Sequence, residues 1–335
     1  MFVPVVNQKQ EPLMPTTCSR AARWIKSGKA TGFFKKGLFC VRLNRKPSDN
    51  RRQQIAVGID PGSKREAYTV KSESHTYLNV LSETPGWVKD AVEKRRNARR
   101  ARRQRNTPCR KNKHNRSRSP FPPSTKSRWQ LKLRICSWLK QLFPVSAFVV
   151  EDIKARTWKG AKKWNKSFSP LEVGKKWFYH ELSVLASVQT RQGYETKELR
   201  DVLGLKKSSS KMSDKFECHN VDSWVLANSV VGGHIKVDNK SMLKLVPFQF
   251  HRRQLHVFQP ASGDKRRKYG GTRSLGLKRG SLIIHTKYGL SYVGGSMKER
   301  VSLHCLETGK RLTQSAKVYD CVFKAYCSWR SFNIV

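Results

Sequence analysis

The sequence predicts an α/β protein built on a mixed sheet, with a small α/β region before the sheet and a β-rich region after it. Three observations carry this. Ile55, Val57 and Ile59 alternate with Ala56 and Gly58, as in a strand buried on both faces, and Asp60-Pro61-Gly62 supplies a turn signal at its end. Ala147-Phe148-Val149-Val150 is a second apolar run, ending in Glu151-Asp152. Toward the C-terminus, short β-like runs recur between glycine turns.

The chain has 335 residues, room for two or three packed units. Its formal net charge is +46, from 69 Lys+Arg against 23 Asp+Glu. So basic a surface repels itself until a polyanion neutralises it, and nucleic acid is the partner that fits. A membrane surface fits less well, because the basic residues are not gathered on one amphipathic helix. The eight cysteines are scattered without a C-x-x-C pair, which argues against a disulfide framework or zinc ribbon and for reduced thiols. No apolar run is long enough to span a bilayer, and the N-terminus lacks a basic-then-apolar signal pattern. The expected location is cytoplasmic, with the nucleoid, or else organellar.

In chain order, Phe2–Val6 reads as a strand and Glu11–Pro15 as a turn. Ser19–Gly28 reads as a helix with Ala21, Ala22, Trp24 and Ile25 inward and Gly28 at its C-terminal cap. Phe39–Leu43 reads as a strand, and Tyr68-Thr69-Val70 as the strand that pairs back on Ile55–Asp60. From Lys94 to Arg118 there are thirteen Lys+Arg and no acid. Lys94–Arg105 contains good helix formers and no breaker. Like charges at i, i+4 disfavour such a helix in isolation, so phosphates would firm it. Arg95, Arg96, Arg99, Arg100, Arg102, Arg103 and Arg105 are therefore read as RNA-binding; a solvated basic run or localisation signal is the plainer reading. Pro108–Ser127 is a Pro/Ser/Arg-rich linker. Ser127–Leu142 carries Leu131, Ile135, Trp138, Leu139 and Leu142 at helical spacing, as a core helix does.

Ser169-Pro170-Leu171-Glu172 opens a further helix, with Pro at its first position and Glu at its third; Trp177, Leu182, Leu185 and Val188 form its expected apolar face. His219-Asn220-Val221-Asp222 opens another through Ser223–Asn228, with Asn220 or Asp222 able to cap it. Strands are expected at Ser281–His285, Leu290–Val293, Val301–Cys305 and Val318–Phe323. The segments His251–His256 and Arg266–Thr272 combine bases with an aromatic and tight turns. They suit a phosphate or groove contact through Arg252, Arg253, Arg266, Arg267, Lys268, Tyr269 and Thr272, or else a solvated loop.

Asp60, Glu151 and Asp222 each stand at the edge of an apolar element. Hard oxygen ligands of this kind suit Mg²⁺, and paired ions stabilise both the attacking and the leaving oxygen of phosphodiester hydrolysis. Each acid also has a plain reading, as a turn residue, a charged strand end or a helix cap.

The pattern strand-Asp, strand-Glu, then His-x-x-Asp, at Asp60, Glu151, His219 and Asp222, resembles the split RuvC nuclease of the IscB and IsrB proteins. Asp222-Ser223 stands where that family usually has Asp-Ala. Pro12-Leu13-Met14-Pro15, followed by a helix ending Ser27-Gly28-Lys29-Ala30, resembles the family's PLMP domain, one residue longer at Thr16-Thr17. Arg99-Arg100-Ala101-Arg102-Arg103 resembles its arginine-rich bridge helix. Gly193–Lys197 and Leu199-Arg200 resemble the approach to the third RuvC segment, with Lys197 and Arg200 as nucleic-acid contacts. The only histidine between Glu151 and His219 is His180, and the interval is too short for the HNH nuclease inserted there in IscB. The resemblance is therefore to the HNH-lacking IsrB branch.

This resemblance implies an RNase H-like (RuvC) mixed-sheet core split by insertions. Its parts would be a PLMP-like region at 1–50, RuvC segment I at 51–88 and the bridge helix with basic linker at 89–126. RuvC segment II would follow at 127–160, a helical connection with segment III at 161–232, and a β-rich region reading the target-adjacent motif at 233–335. It implies a Mg²⁺-dependent endonuclease that nicks the displaced strand of double-stranded DNA under a structured guide RNA (omega RNA), monomeric in that ribonucleoprotein and without a membrane. Asp60, Glu151 and Asp222 would hold two Mg²⁺, for which Mn²⁺ can substitute, and His219 would be the general base or orient the attacking water. The alternatives are an inactive RNA-guided DNA-binding protein, a guide-free RuvC-type nuclease, and a ribosomal-type RNA scaffold protein.

Overall fold

The computed structural model describes residues 2–47, 51–105, 121–155, 169–210, 212–249, 275–297 and 299–334. The chain forms two compact units, one of Met1–Asn50 with Ser241–Val335 and one of Arg51–Lys240.

The first unit begins with β1 (Phe2–Val6), β2 (Pro12–Thr17), α1 (Cys18–Lys26), β3 (Ala30–Lys35) and β4 (Leu38–Leu43), in the sheet order β2-β1-β4-β3. Pro12–Thr17 is a strand and not the expected turn. It lies at the sheet edge, with a register shift along β1, where prolines are tolerated. Thr17 caps α1 by accepting from the Arg20 amide at 3.4 Å, and Gly28 follows the helix at φ +70°. Of the four side chains expected inward, Ala21 is buried and Trp24 packs beside it, whereas Ala22 and Ile25 face solvent. A nine-residue helix offers the sheet only a narrow stripe.

The second unit carries β5 (Ile55–Asp60), β6 (Arg65–Ser72), β7 (Thr76–Glu83), α2 (Trp87–Gln104), α3 (Pro123–Leu142), β8 (Ala147–Asp152), α4 (Pro170–Ser183), β9 (Ser187–Gln192), α5 (Gly193–Val202) and α6 (Phe216–Val231). Its strands run in the order β7-β6-β5-β8-β9. The first three form an antiparallel meander, while β8 lies parallel to β5 and β9 parallel to β8. This is the mixed-sheet α/β core expected from the sequence. Short turns suffice for the meander, and each parallel pairing is reached through helices, as a crossover requires.

The buried face of α3 is the one its spacing predicts, with Leu131, Ile135, Trp138, Leu139 and Leu142 inside. Its Lys132 forms a buried ion pair with Glu66 of β6, and the Tyr68 hydroxyl donates to the same carboxylate at 2.7 Å. Ser169 caps α4 by accepting from the Glu172 amide, as its sequence predicts. The inner face of α4 keeps Leu182 of the expected four and otherwise differs. Gly174, Lys175, Phe178 and Leu182 are buried, the helix ends at Ser183, and Val188 belongs to β9. That strand is too polar to announce itself.

The last helix of this unit, α6, begins at Phe216, earlier than expected, so His219 and Asp222 lie within it and neither Asn220 nor Asp222 caps it. It is buried along most of its length and packs on β5 and β6. Gly58 makes this possible. A Cβ there would stand 1.9 Å from the Ser223 carbonyl oxygen and 2.7 Å from the Ala227 amide nitrogen, so the helix backbone rests directly on the strand. Ser223, the departure from the usual Asp-Ala, is satisfied in this contact: its hydroxyl donates to the Asn220 carbonyl at 3.0 Å and lies 2.8 Å from the Thr69 hydroxyl.

The C-terminal part of the first unit contains β10 (Met242–Pro247), β11 (Ser281–His285), β12 (Gly289–Met297), β13 (Arg300–His304), β14 (Arg311–Lys317), β15 (Cys321–Tyr326) and β16 (Trp329–Ile334). An antiparallel sheet of order β14-β13-β12-β11-β15 closes over Ile283, Val293, Val301, Leu303 and Ala316. Val318–Asp320 is a 3-10 turn, so the strand expected from Val318 starts at Cys321. β10 pairs antiparallel with β16, whose Trp329 indole donates to the Lys36 carbonyl at 3.0 Å. Arg252, Arg253, Arg266, Arg267, Lys268, Tyr269 and Thr272 lie outside the described residues, as does most of the Pro108–Ser127 linker.

Gly58→Ala is expected to lower stability by about 1–3 kcal/mol, the usual cost of overpacking, because helix and strand must separate. The midpoint of urea unfolding measures this. An unchanged midpoint would show that α6 does not rest on β5 in this way.

Candidate metal centre

Asp60 is the last residue of β5, and Glu151 lies near the end of the adjacent parallel strand β8. Ile59 is paired with Val150, so the two acids that follow leave the sheet side by side. The carboxyl ends of parallel strands are where α/β sheets gather ligands. Asp222 reaches the same place from α6. One oxygen from each carboxylate lies within 4.8 Å of the others. Asp152, next to Glu151, points the other way and is held by Lys175 at 2.9 Å, Tyr179 at 3.0 Å and Gln192 at 3.0 Å. Alternation along the strand thus separates a structural acid from one in the cluster.

The cluster is electrostatically loaded. Burial, followed by the Asp60 and Asp222 charges, pushes the Glu151 carboxyl up to about 7. Asp60 is raised by burial first and by Asp222, with Lys207 opposing. Two cations offset the acids. Arg200 of α5 donates to Asp222 Oδ1 at 2.6 Å, and Lys207 Nζ bonds Asp222 Oδ2 and lies 3.4 Å from Asp60 Oδ2. Burial alone would lower the Lys207 ammonium, but the Asp60 and Asp222 charges outweigh it and hold it above its ordinary value. Arg200, expected to touch nucleic acid, is committed to Asp222 instead; Lys197 is exposed. Lys207 had no signal in the sequence, since a lysine in a polar, serine-rich stretch reads as solvated surface.

His219 stands one turn before Asp222 on α6 and is half-buried. Its Nε2 lies 3.0 Å from the Ser213 carbonyl oxygen, so that nitrogen carries the hydrogen and Nδ1 holds the lone pair. Burial lowers its pKa, which favours the neutral ring.

The donor set fits a hard divalent cation. All three ligands are carboxylate oxygens, which suit Mg²⁺ or Mn²⁺ over softer metals. Ligands on one Mg²⁺ lie up to about 4 Å apart, and paired ions stand about 3.5–4 Å apart. A 4.8 Å spread is on that scale.

The basic helix lies elsewhere on the same unit. Arg95, Arg96, Arg99, Arg100, Arg102 and Arg103 on α2, and Arg105 just beyond it, are all exposed, and the helix buries no residue of its own. Arg96, Arg99, Arg100 and Arg103, spaced i, i+3, i+4 and i+7, line one concave surface. Among the described residues none of these arginines is paired with an acid.

None of the curated proteins matches this chain. Among solved structures, the chain is similar to Thermus thermophilus RuvC in complex with a Holliday junction substrate at 13% identity, covering 54% of this chain and 97% of that one, with a TM-score of 0.29. It is similar to the yeast mitochondrial Holliday junction resolvase at 13% identity, covering 54% of this chain and 78% of that one, with a TM-score of 0.27. The family described as RRXRR protein matches residues 3–163, a span that holds Asp60, Glu151 and the Arg99-Arg100-Ala101-Arg102-Arg103 run.

Proposed function

We propose that this chain is a RuvC-like, metal-dependent endonuclease of the IsrB kind, which nicks the displaced strand of double-stranded DNA under a guide RNA. The observation that carries the reading is the meeting of Asp60, Glu151 and Asp222, three acids from distant parts of the chain, at one end of the sheet. The arginine run inside the RRXRR match supports a nucleic-acid partner.

In this reading Asp60, Glu151 and Asp222 hold two Mg²⁺, or Mn²⁺ in their place. Such ions activate water and stabilise charge on the attacking and leaving oxygens. Neutral His219, with Nε2 engaged, has Nδ1 to take a proton from water or to orient it. Arg95, Arg96, Arg99, Arg100, Arg102, Arg103 and Arg105 bind the phosphates of a structured RNA, and the exposed face of α2 suits that role. Arg252, Arg253, Arg266, Arg267, Lys268, Tyr269 and Thr272 contact the DNA beside the target. The chain divides in function as the family resemblance implies, with a PLMP-like start, a bridge helix between RuvC segments and a motif-reading end. Base pairing with the guide, and not the protein, reads the sequence.

Two predictions test this. Asp60→Ala is expected to abolish cleavage while RNA and DNA binding persist, because it removes a carboxylate from the cluster and leaves the phosphate-binding arginines in place. With each DNA strand labelled separately, the wild type is expected to cut the displaced strand and leave the guide-paired strand whole. Equal early cleavage of both strands, or full activity in Asp60→Ala, would overturn the proposal.

Replacing Arg99, Arg100, Arg102 and Arg103 with Gln is expected to weaken RNA binding and flatten its salt dependence. The log–log slope should fall by about 0.7–0.9 for each phosphate that the variant no longer neutralises. An unchanged slope in filter binding across a salt series would assign these arginines to solvent.

A further inference from the structure

Both oxygens of Asp222 are occupied, but by cations of different standing. Arg200 Nη1 holds Oδ1 from the ordered helix α5, and its side chain is only 15% exposed. Lys207 Nζ holds Oδ2, also approaches Asp60 Oδ2, and its side chain is 33% exposed. The acids it bridges are more deeply set, at 18% for Asp60 and 5% for Asp222. The ammonium therefore comes to the cluster from the solvent side, and its chain can leave without disturbing the core.

Lys207 belongs to the segment 203–215 between α5 and α6. Points on either side of it anchor that segment. The Leu205 amide donates to the Arg200 carbonyl at 3.1 Å, and the Ser208 amide to the Glu217 carbonyl at 2.9 Å. Farther on, Arg65 pairs with Asp214 at 2.7 Å and donates to the Ser213 carbonyl at 2.6 Å. The backbone thus stays over the site while the long, flexible lysine side chain remains exchangeable.

We infer that Lys207 is a resident cation of the acidic cluster: its ammonium holds a metal position in the metal-free protein, and a divalent ion binds by displacing it. Arg200 is a positioning residue that keeps Asp222 oriented through the exchange. The inference rests on the reading of the cluster as a metal centre, and it makes Lys207 a competitor of the metal and not a ligand. The physical reason is charge. Three converging carboxylates repel one another unless a cation stands among them, and an ammonium occupies the same oxygens that a divalent ion needs.

The test measures binding of Mn²⁺ and Mg²⁺ to the full chain by isothermal titration calorimetry. The variants are K207M, K207Q and K207R, with Asp60→Ala as reference. K207M and K207Q are expected to bind the ion more tightly than wild type by about fivefold or more, the lower end of typical coupling between ligands. K207R, which keeps the charge, is expected to stay within about twofold of wild type, well below that coupling range. Without metal, K207M and K207Q are expected to melt below wild type, and saturating Mn²⁺ is expected to close the gap, which a merely structural lysine would not do. If the wild type binds the ion, Asp60→Ala does not, and both neutral variants bind no more tightly than wild type, the inference fails and the metal centre stands. If the wild type and Asp60→Ala bind alike or not at all, the metal reading fails and this inference with it.

Discussion

Asp60 and Asp222 can share a site because a helix backbone lies directly on a strand. That approach requires position 58 to have no side chain, since a Cβ would collide with the Ser223 carbonyl. With Gly58 in place, α6 lies across β5 and β6, and the Asn220 amide and the Ser223 hydroxyl find partners on the strands beneath. Asn220 donates to the Tyr68 and Val80 carbonyls, and Ser223 meets Thr69. Losing any of these buried bonds would strand a polar group away from water, so they hold the register of the helix as well as its distance. The position of the Asp222 carboxylate follows from that register.

The second constraint is electrostatic and runs against the overall composition. A chain of net charge +46 gathers three acids at one point. Burial, and after it the charges of the neighbouring acids, raises Asp60 and pushes Glu151 up to about 7. Arg200 and Lys207 supply the nearest compensation. Along α2, by contrast, the arginines are left exposed. The unit thus sets three acids together at the sheet end and leaves the arginines of α2 on surface that phosphates can reach.

The parts of the fold that could be read from the sequence were those with a strong period or an unambiguous cap. The strands at Ile55–Asp60 and Ala147–Asp152, the core face of α3 and the Ser169 cap of α4 are of this kind. Elements that rely on neighbours were not legible. β9 is polar and, among the described residues, pairs only with β8; β2 carries two prolines at an edge, and β14 is mostly exposed. Each owes its strand geometry to the ladder beside it and not to its own residues. The same holds for the start of α6. Asn220 and Asp222 look like caps in isolation, yet their side chains are used inside the fold.

By itself the sequence determined a basic, nucleic-acid-suited α/β chain with acids at the ends of two apolar strands and on a third segment. These properties are local: charge, periodicity and turn chemistry are written in consecutive residues. Only the tertiary structure decided that Asp60, Glu151 and Asp222 meet, that Asp152 does not join them, and that Arg200 and Lys207 stand against Asp222. Convergence depends on strand register and on the depth at which a helix packs, which are set by contacts between residues far apart in the chain. Charges that look solvated one residue at a time become partners when the fold removes the water between them.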